Sequence, residues 1–219
     1  VSAVICASVE GRAWARFVPT LSFHIFLVLA VALAGIAVVT DSAVLVVGAM
    51  VVGPEFSAIV AACVGIALGH WGLVRRSLLL LVLSFTFAIL VVTLMAWLAH
   101  VTGLLTTEDV IRPRPNTGFI WHPDAWSFIV ALLAGAAGAL ALAIEKTATM
   151  VGVFISVTTV PAAGNLALGL AVWESSEILG SLAQLGANLA GMLLAGTLVL
   201  LLVRTTWSWL VAHSEQLFS

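Results

Sequence analysis

Charge is scarce in this chain. Only 8% of its 219 residues are Asp, Glu, Lys or Arg, against about 25% in a soluble domain. With 63% hydrophobic residues and a mean hydropathy of +1.23, it cannot cover itself with polar surface, so lipid must solvate most of it. Eight scattered basic residues and a net charge of −2 exclude a nucleic-acid partner. Two isolated cysteines, Cys6 and Cys63, provide neither a disulfide framework nor metal-ligand spacing, and Cys63 reads as a small packing residue. The five histidines, His24, His70, His100, His122 and His213, lie toward the ends of the apolar runs. None has a carboxylate or cysteine at ligand spacing. Nucleophile-elbow, metalloprotease, P-loop and dinucleotide motifs are all missing. The expectation is therefore a membrane protein that is not an enzyme and needs no metal or cofactor.

Long apolar runs are what the chain does have. Six spans are expected, at 21–40, 42–69, 75–99, 126–144, 147–172 and 178–203, since a bilayer core of about 30 Å takes about 20 helical residues. No cleavable signal is expected, because the run from Leu21 to Val39 is longer than a signal peptide's apolar core. Asp41 and Glu145 end corresponding spans 104 positions apart, and Gly48 and Gly152 keep that offset. Past each glycine a proline, Pro54 or Pro161, interrupts the next span. Three spans per half turn the second copy over. The fold expected is an all-α membrane bundle, a 3+3 inverted repeat with broken second and fifth spans. Its parts are an interfacial lead-in helix at 1–20, a first repeat at 21–100, an extracytoplasmic linker at 101–125, a second repeat at 126–204 and a cytoplasmic tail at 205–219.

Lys and Arg set the orientation. With both termini cytoplasmic, the inside carries Arg12, Arg16, Arg75, Arg76, Lys146 and Arg204, and the outside only Arg112 and Arg114. The tryptophans agree: Trp14, Trp71, Trp207 and Trp209 fall at the inner boundary, and Trp97, Trp121, Trp126 and Trp173 at the outer one. Two readings of the proline-rich linker stand, a tether between halves or an external cap. Small-residue pairs such as Gly65/Gly69, Gly135/Ala139 and Ala187/Gly191 point to close helix packing, within one subunit or in a homo-oligomer.

Proline-interrupted spans in an inverted repeat point to a transport site. The candidate site comprises Pro54, Glu55, Ser57, Thr158, Thr159, Pro161, Asn165 and Asn188. Glu55 is a midspan carboxylate, which costs at least about 2.5 kcal/mol at the bilayer centre, so it must be protonated, paired or hydrated. It either binds a cation or proton, or caps the second half-helix. Ser57, Thr158 and Thr159 offer hydroxyls that contact substrate or bond back to the preceding turn. Asn165 and Asn188 bond across helices or line the site, and Gln184 shares a face with Asn188. Asp41 and Glu145 read as helix caps or, alternatively, as gates.

The stretch Thr40-Asp41-Ser42-Ala43-Val44-Leu45-Val46-Val47-Gly48-Ala49-Met50-Val51-Val52-Gly53-Pro54 resembles the prokaryotic domain-of-unknown-function 389 family. So do Gly65-Ile66-Ala67-Leu68-Gly69-His70-Trp71, Arg75-Arg76-Ser77-Leu78, the run from Ala134 to Leu142, Val151-Gly152-Val153, Val160-Pro161 and Asn188-Leu189-Ala190-Gly191. The chain departs from that pattern where Glu55-Phe56-Ser57-Ala58 replaces a second proline, and where Pro161-Ala162 replaces a proline pair. The resemblance implies a hydrophobic domain of the prokaryotic inner membrane, with no activity to carry over. Two functions remain: a transporter or channel-like permease for a small ion or solute, or a non-transporting anchor or regulator of a soluble domain.

Overall fold

The computed structural model describes the backbone of residues 21–120, 125–143 and 148–217, and their side chains except at 119, 142–143, 148–158 and 206–217. The lead-in segment, Glu145, Lys146 and Trp121 to Asp124 lie outside these residues, as does the side chain of Thr158. Eight helices and a 3₁₀ turn make up the described chain: α1 (Leu21–Val39), α2 (Ala43–Val52), α3 (Phe56–Leu68), α4 (Trp71–Val101), α5 (Thr107–Ile111), the 3₁₀ turn Gly118–Ile120, α6 (Ala125–Ala143), α7 (Ala148–Val172) and α8 (Ser175–Leu217). No strand occurs among the described residues.

Among the described residues, three helices are long and apolar enough to cross a membrane: α1, α4 and the first 31 residues of α8, Ser175–Thr205. The bent pair α2–α3 makes a fourth span if it crosses as one unit, and α6 and α7 contribute shorter apolar stretches. The burial pattern is that of a bundle in lipid. On α1, Phe23, Leu27, Ala30, Val31, Ala34 and Val38 recur at helical spacing and are buried, while Ile25, Phe26, Leu29 and Ile36 are exposed. Trp71, Trp97, Trp126 and Trp173 are all exposed, near helix ends, where amphipathic rings meet headgroups.

α7 runs through the middle of the bundle, packed on α1, α2, α4, α6 and α8. Small residues permit the closest approaches. A Cβ on Gly164 of α7 would sit 2.8 Å from the backbone nitrogen of Gly35 on α1, and one on Gly135 of α6 would sit 2.4 Å from the carbonyl oxygen of Met192 on α8. The small-residue faces at Gly135 and Gly191 are thus occupied within the chain.

The two prolines behave differently. Gly53, held extended before Pro54 (φ −64°, ψ 125°), ends α2, because a residue preceding proline is pushed out of the helical region. The chain turns 59° before continuing as α3. Pro161 lies inside α7, which runs unbroken from Ala148 to Val172, so the expected break in the fifth span is absent. Neighbouring helices support such a proline where they surround it on several sides.

Helix boundaries recur at a spacing of 104 residues. α3 and α7 end at 68 and 172, and α4 and α8 start at 71 and 175. The corner after α3 recurs too. Gly69 (φ 74°) and Trp173 (φ 57°) adopt left-handed backbone. The N–H of His70 bonds to Gly65 O at 2.8 Å, and that of Glu174 to Gly169 O at 3.0 Å. A Cβ on Gly65 would press on Val74, and one on Gly169 on Ile178.

Candidate functional site

Glu55 sits at the bend between α2 and α3 with its side chain fully buried (0% exposed). It occupies the N-cap position of α3, but makes no capping bond with its side chain. Its Oε1 instead accepts a hydrogen bond from Thr159 Oγ1 of α7 at 3.1 Å. The carboxyl therefore belongs to a contact between the two halves of the chain. Thr159, like Glu55, is fully buried, so no bulk water competes for the bond and the local dielectric strengthens it. Ser57, by contrast, donates to Pro54 O at 3.2 Å, the local bond that hydroxyls in membrane helices commonly make. Pro54 shapes the bend, and Pro161 lies two residues beyond Thr159.

A second polar cluster lies where the linker meets the bundle. Arg114, flanked by Pro113 and Pro115, enters between α7 and α8 and is 6% exposed. Its Nη2 donates to Glu177 Oε1 at 2.6 Å, and its Nη1 to Asn165 Oδ1 at 2.6 Å. Asn165 Nδ2 closes the ring on Glu177 Oε2 at 2.6 Å and also donates to Ser181 Oγ at 2.8 Å. Charge is neutralised inside the ring, which offsets the several kcal/mol that desolvating each ion costs. Asn165 thus joins this cluster rather than the one at Glu55.

The linker is a folded cap. Leu105, Val110 and Ile120 are buried in an apolar cluster with Ala37, Val38, Val46 and Leu168. Thr106 and Asp109 form a capping box on α5. Asp41 anchors the far side: its carboxylate accepts from Thr117 Oγ1 at 2.8 Å, Asn116 Nδ2 at 3.0 Å and Asn116 N at 3.2 Å. Desolvation pushes the Asp41 pKa up, but the bonds from Thr117 and Asn116 outweigh it and hold it below the ordinary value of 3.8. Asp41 does not cap α2. Ser42 does, accepting from Leu45 N at 3.3 Å, because Asp41 has turned into the left-handed region (φ 50°). Arg112 donates to Val39 O, adding a second arginine to the docked linker.

Asn188 is fully buried, as Gln184 nearly is, in keeping with an inward face. That face is longer than the sequence alone revealed: Glu177 (2% exposed) and Ser181 (0%) continue it toward the linker. The spacing 177, 181, 184, 188 is a readable helical stripe. Arg114 has no comparable local signal, since a loop arginine reaches its partner only through the tertiary fold. Among the described residues no group of three or more His, Cys, Asp or Glu could hold a metal.

These features define an all-helical membrane protein with a buried carboxyl at a helix break. A family model described as Domain of unknown function (DUF389) matches residues 50–194, and the chain belongs to that family. No curated protein and no solved structure matches it.

Proposed function

We propose that the protein is a permease for a small ion or solute, with its transport site at Glu55. In this reading α1, α2–α3 and α4 form one three-span half, and α6, α7 and the first part of α8 form the other, inverted in the bilayer. Recurrence of helix boundaries at a 104-residue spacing supports the division, and an odd number of spans per half supplies the inversion. Basic-residue placement puts both termini in the cytoplasm of a prokaryotic cell and the linker cap outside the inner membrane.

The observation that carries the reading is the Glu55–Thr159 bond. A carboxyl at that depth is costly, yet it stands at a bent span, where α2 and α3 can move relative to each other, and it is held by the other half. Such a group suits binding and release as the halves rock, and the buried geometry corresponds to an occluded state. The chain acts in this reading as a transporter rather than a catalyst, with lipid as its solvent.

The test is electrical. Full-length protein in proteoliposomes adsorbed on a solid-supported membrane is exposed to rapid steps in H⁺, Na⁺, K⁺ and small anions. Wild type should give a transient current for at least one of them, and Glu55→Gln should remove it. If wild type stays silent throughout, the second reading gains: a non-transporting module that anchors or regulates a soluble domain. Complete burial of Glu55 within the bundle favours that reading. Inaccessibility of Ser57→Cys and Thr158→Cys to water-soluble thiol reagents would then complete the case for a dry midplane.

A further inference from the structure

The buried polar face of α8 links the two clusters. Glu177, Ser181, Gln184 and Asn188 are spaced four, three and four residues apart and are 2%, 0%, 3% and 0% exposed. Eleven residues of helix span about 16 Å, half of a bilayer core of about 30 Å. The upper end of the stripe is the Arg114–Glu177 pair, with side chains 1% and 3% exposed.

Two independent registers locate its lower end. α7 runs antiparallel to α8, with Gly169 against Glu177 and Asn165 bonded to Ser181. Continuing inward along both helices brings Thr159 level with residues 184–188. On α3, the thiol of Cys63 lies 3.9 Å from Met192 O and 3.8 Å from Leu193 O, and stepping back seven residues brings Phe56 level with residues 185–186. Gln184 and Asn188 therefore lie at the depth of the Glu55–Thr159 bond. Gln184 Oε1 is a buried acceptor with no hydrogen-bond partner, which points to a polar species at that level.

We propose that this face is a proton route from the outside to Glu55, closed at its mouth by the Arg114–Glu177 pair. The inference rests on the permease reading above and names its ion. The packing favours a proton over a metal ion. Every residue of the stripe is buried, and a Cβ on Gly169 would come within 3.1 Å of Glu177 Cβ and 3.2 Å of Ile178 N, too tight for a hydrated cation. Charge favours it as well. The ring around Arg114 is neutral, and among the described residues of the packed helices the other ionisable groups are His24 on α1, Cys63 on α3, Arg75, Arg76 and His100 on α4, and Arg204, His213 and Glu215 on α8. Arg75, Arg76, His24 and His100 lie toward helix ends, Arg204, His213 and Glu215 lie at or beyond the inner end of the apolar span Ser175–Thr205, and α2, α6 and α7 contribute none. Glu55 is the one carboxyl at its level. When Arg114 withdraws with the linker, the Glu177 and Asn165 side chains face outer water. Water that enters from outside hydrogen-bonds in single file along the Ser181 hydroxyl and the Gln184 and Asn188 amides, and a proton hops from water to water along that file to the Glu55 carboxylate, which becomes a carboxylic acid and later releases the same proton inward.

The experiment uses full-length protein in liposomes holding a pH-sensitive dye, with a valinomycin-imposed potential, negative inside, to drive proton entry. Arg114→Ala should raise proton uptake at least tenfold over wild type, and Arg114→Ala/Glu55→Gln should return it to the wild-type rate. Because removing one ion could unfold the chain, Arg114→Gln/Glu177→Gln, which leaves no buried charge, carries the same expectations. Uptake that survives Glu55→Gln overturns the route, as does uptake left unchanged by both Arg114 variants. Passage of Na⁺ or K⁺ in place of H⁺ overturns the choice of ion. In each of these cases, a wild-type current that depends on Glu55 leaves the permease reading standing. Silence in wild type, together with a dry Ser57→Cys, removes that reading too.

Discussion

Glu55 and Thr159 lie 104 positions apart in the chain and are joined by a hydrogen bond of 3.1 Å. The same interval separates the ends of α3 and α7 and the left-handed corners at Gly69 and Trp173. Under a twofold relation between halves, a residue can touch its own counterpart only on the axis. The bond therefore marks where that axis would run, through the bend of α2–α3 and the middle of α7.

The Glu55–Thr159 contact should be measurable as a coupling. Thr159→Val should cost about 1 kcal/mol, the usual net worth of a hydrogen bond. A double-mutant cycle with Glu55→Ala, followed by unfolding in detergent micelles, should return a coupling of about 0.6–1.7 kcal/mol, the range for polar contacts between membrane helices. Strictly additive effects would show that the contact contributes no stability.

Arg114 and Glu177 should behave as a buried pair. Arg114→Ala alone leaves the Glu177 carboxylate beside Asn165 without its counter-ion, at a cost of about 3–5 kcal/mol. Arg114→Met/Glu177→Met should lose far less, because no charge remains to desolvate. A double variant as unstable as the single, in denaturant unfolding, would show that the charges themselves are not what matters.

Glycine substitutions should separate by site. Gly135→Ala should destabilise by about 1–3 kcal/mol, as overpacking does, because its Cβ would meet the Met192 carbonyl oxygen at 2.4 Å. Gly48→Ala meets nothing within 4 Å and should be neutral or stabilising by up to about 1 kcal/mol through helix propensity. Thermal unfolding of the two purified variants checks the order.

Acid should release the linker cap. The Thr106 hydroxyl and backbone N–H hold the Asp109 pKa below its ordinary value, with help from Arg112, and Asp41 is lowered as well. A carboxyl whose folded pKa is depressed stabilises fully above its unfolded value of about 3.9, and that contribution disappears as pH falls through the lower folded value. Hydrogen exchange of residues 102–120, corrected for intrinsic rates, should be slow at pH 6 and markedly faster at pH 3. Asp41→Asn should be already loosened at pH 6 and respond less to acid.

Much of the bundle was legible as apolar runs. The expected spans at 21–40 and 75–99 fall on α1 and α4, which are long and apolar enough to cross a membrane, because lipid-facing helices announce themselves by composition. The break at Pro54 was legible because Gly53 precedes it and yields to the extended region. Pro161 misled, since a proline that neighbouring helices surround need not interrupt anything. The two prolines are also 107 residues apart rather than 104, so they are not counterparts. Of the eight candidate residues, Glu55 and Thr159 meet, Ser57 bonds locally and Asn165 belongs to the Arg114 ring. That ring was hidden because its arginine comes from an irregular loop, whose destination no periodicity encodes. The corner could have been found by laying Gly65-Ile66-Ala67-Leu68 over Gly169-Leu170-Ala171-Val172.

Dissimilarity at the centre also bears on why one chain would hold both halves. Two identical three-span subunits meeting on a dyad would bring acid against acid, or alcohol against alcohol. Acid against acid would oblige one partner to stay protonated. Alcohol against alcohol would leave nothing to titrate. In the proposed repeat, fusion would let the two copies differ at this contact, so that the Glu55 carboxyl meets a hydroxyl donor, Thr159, at the matching position.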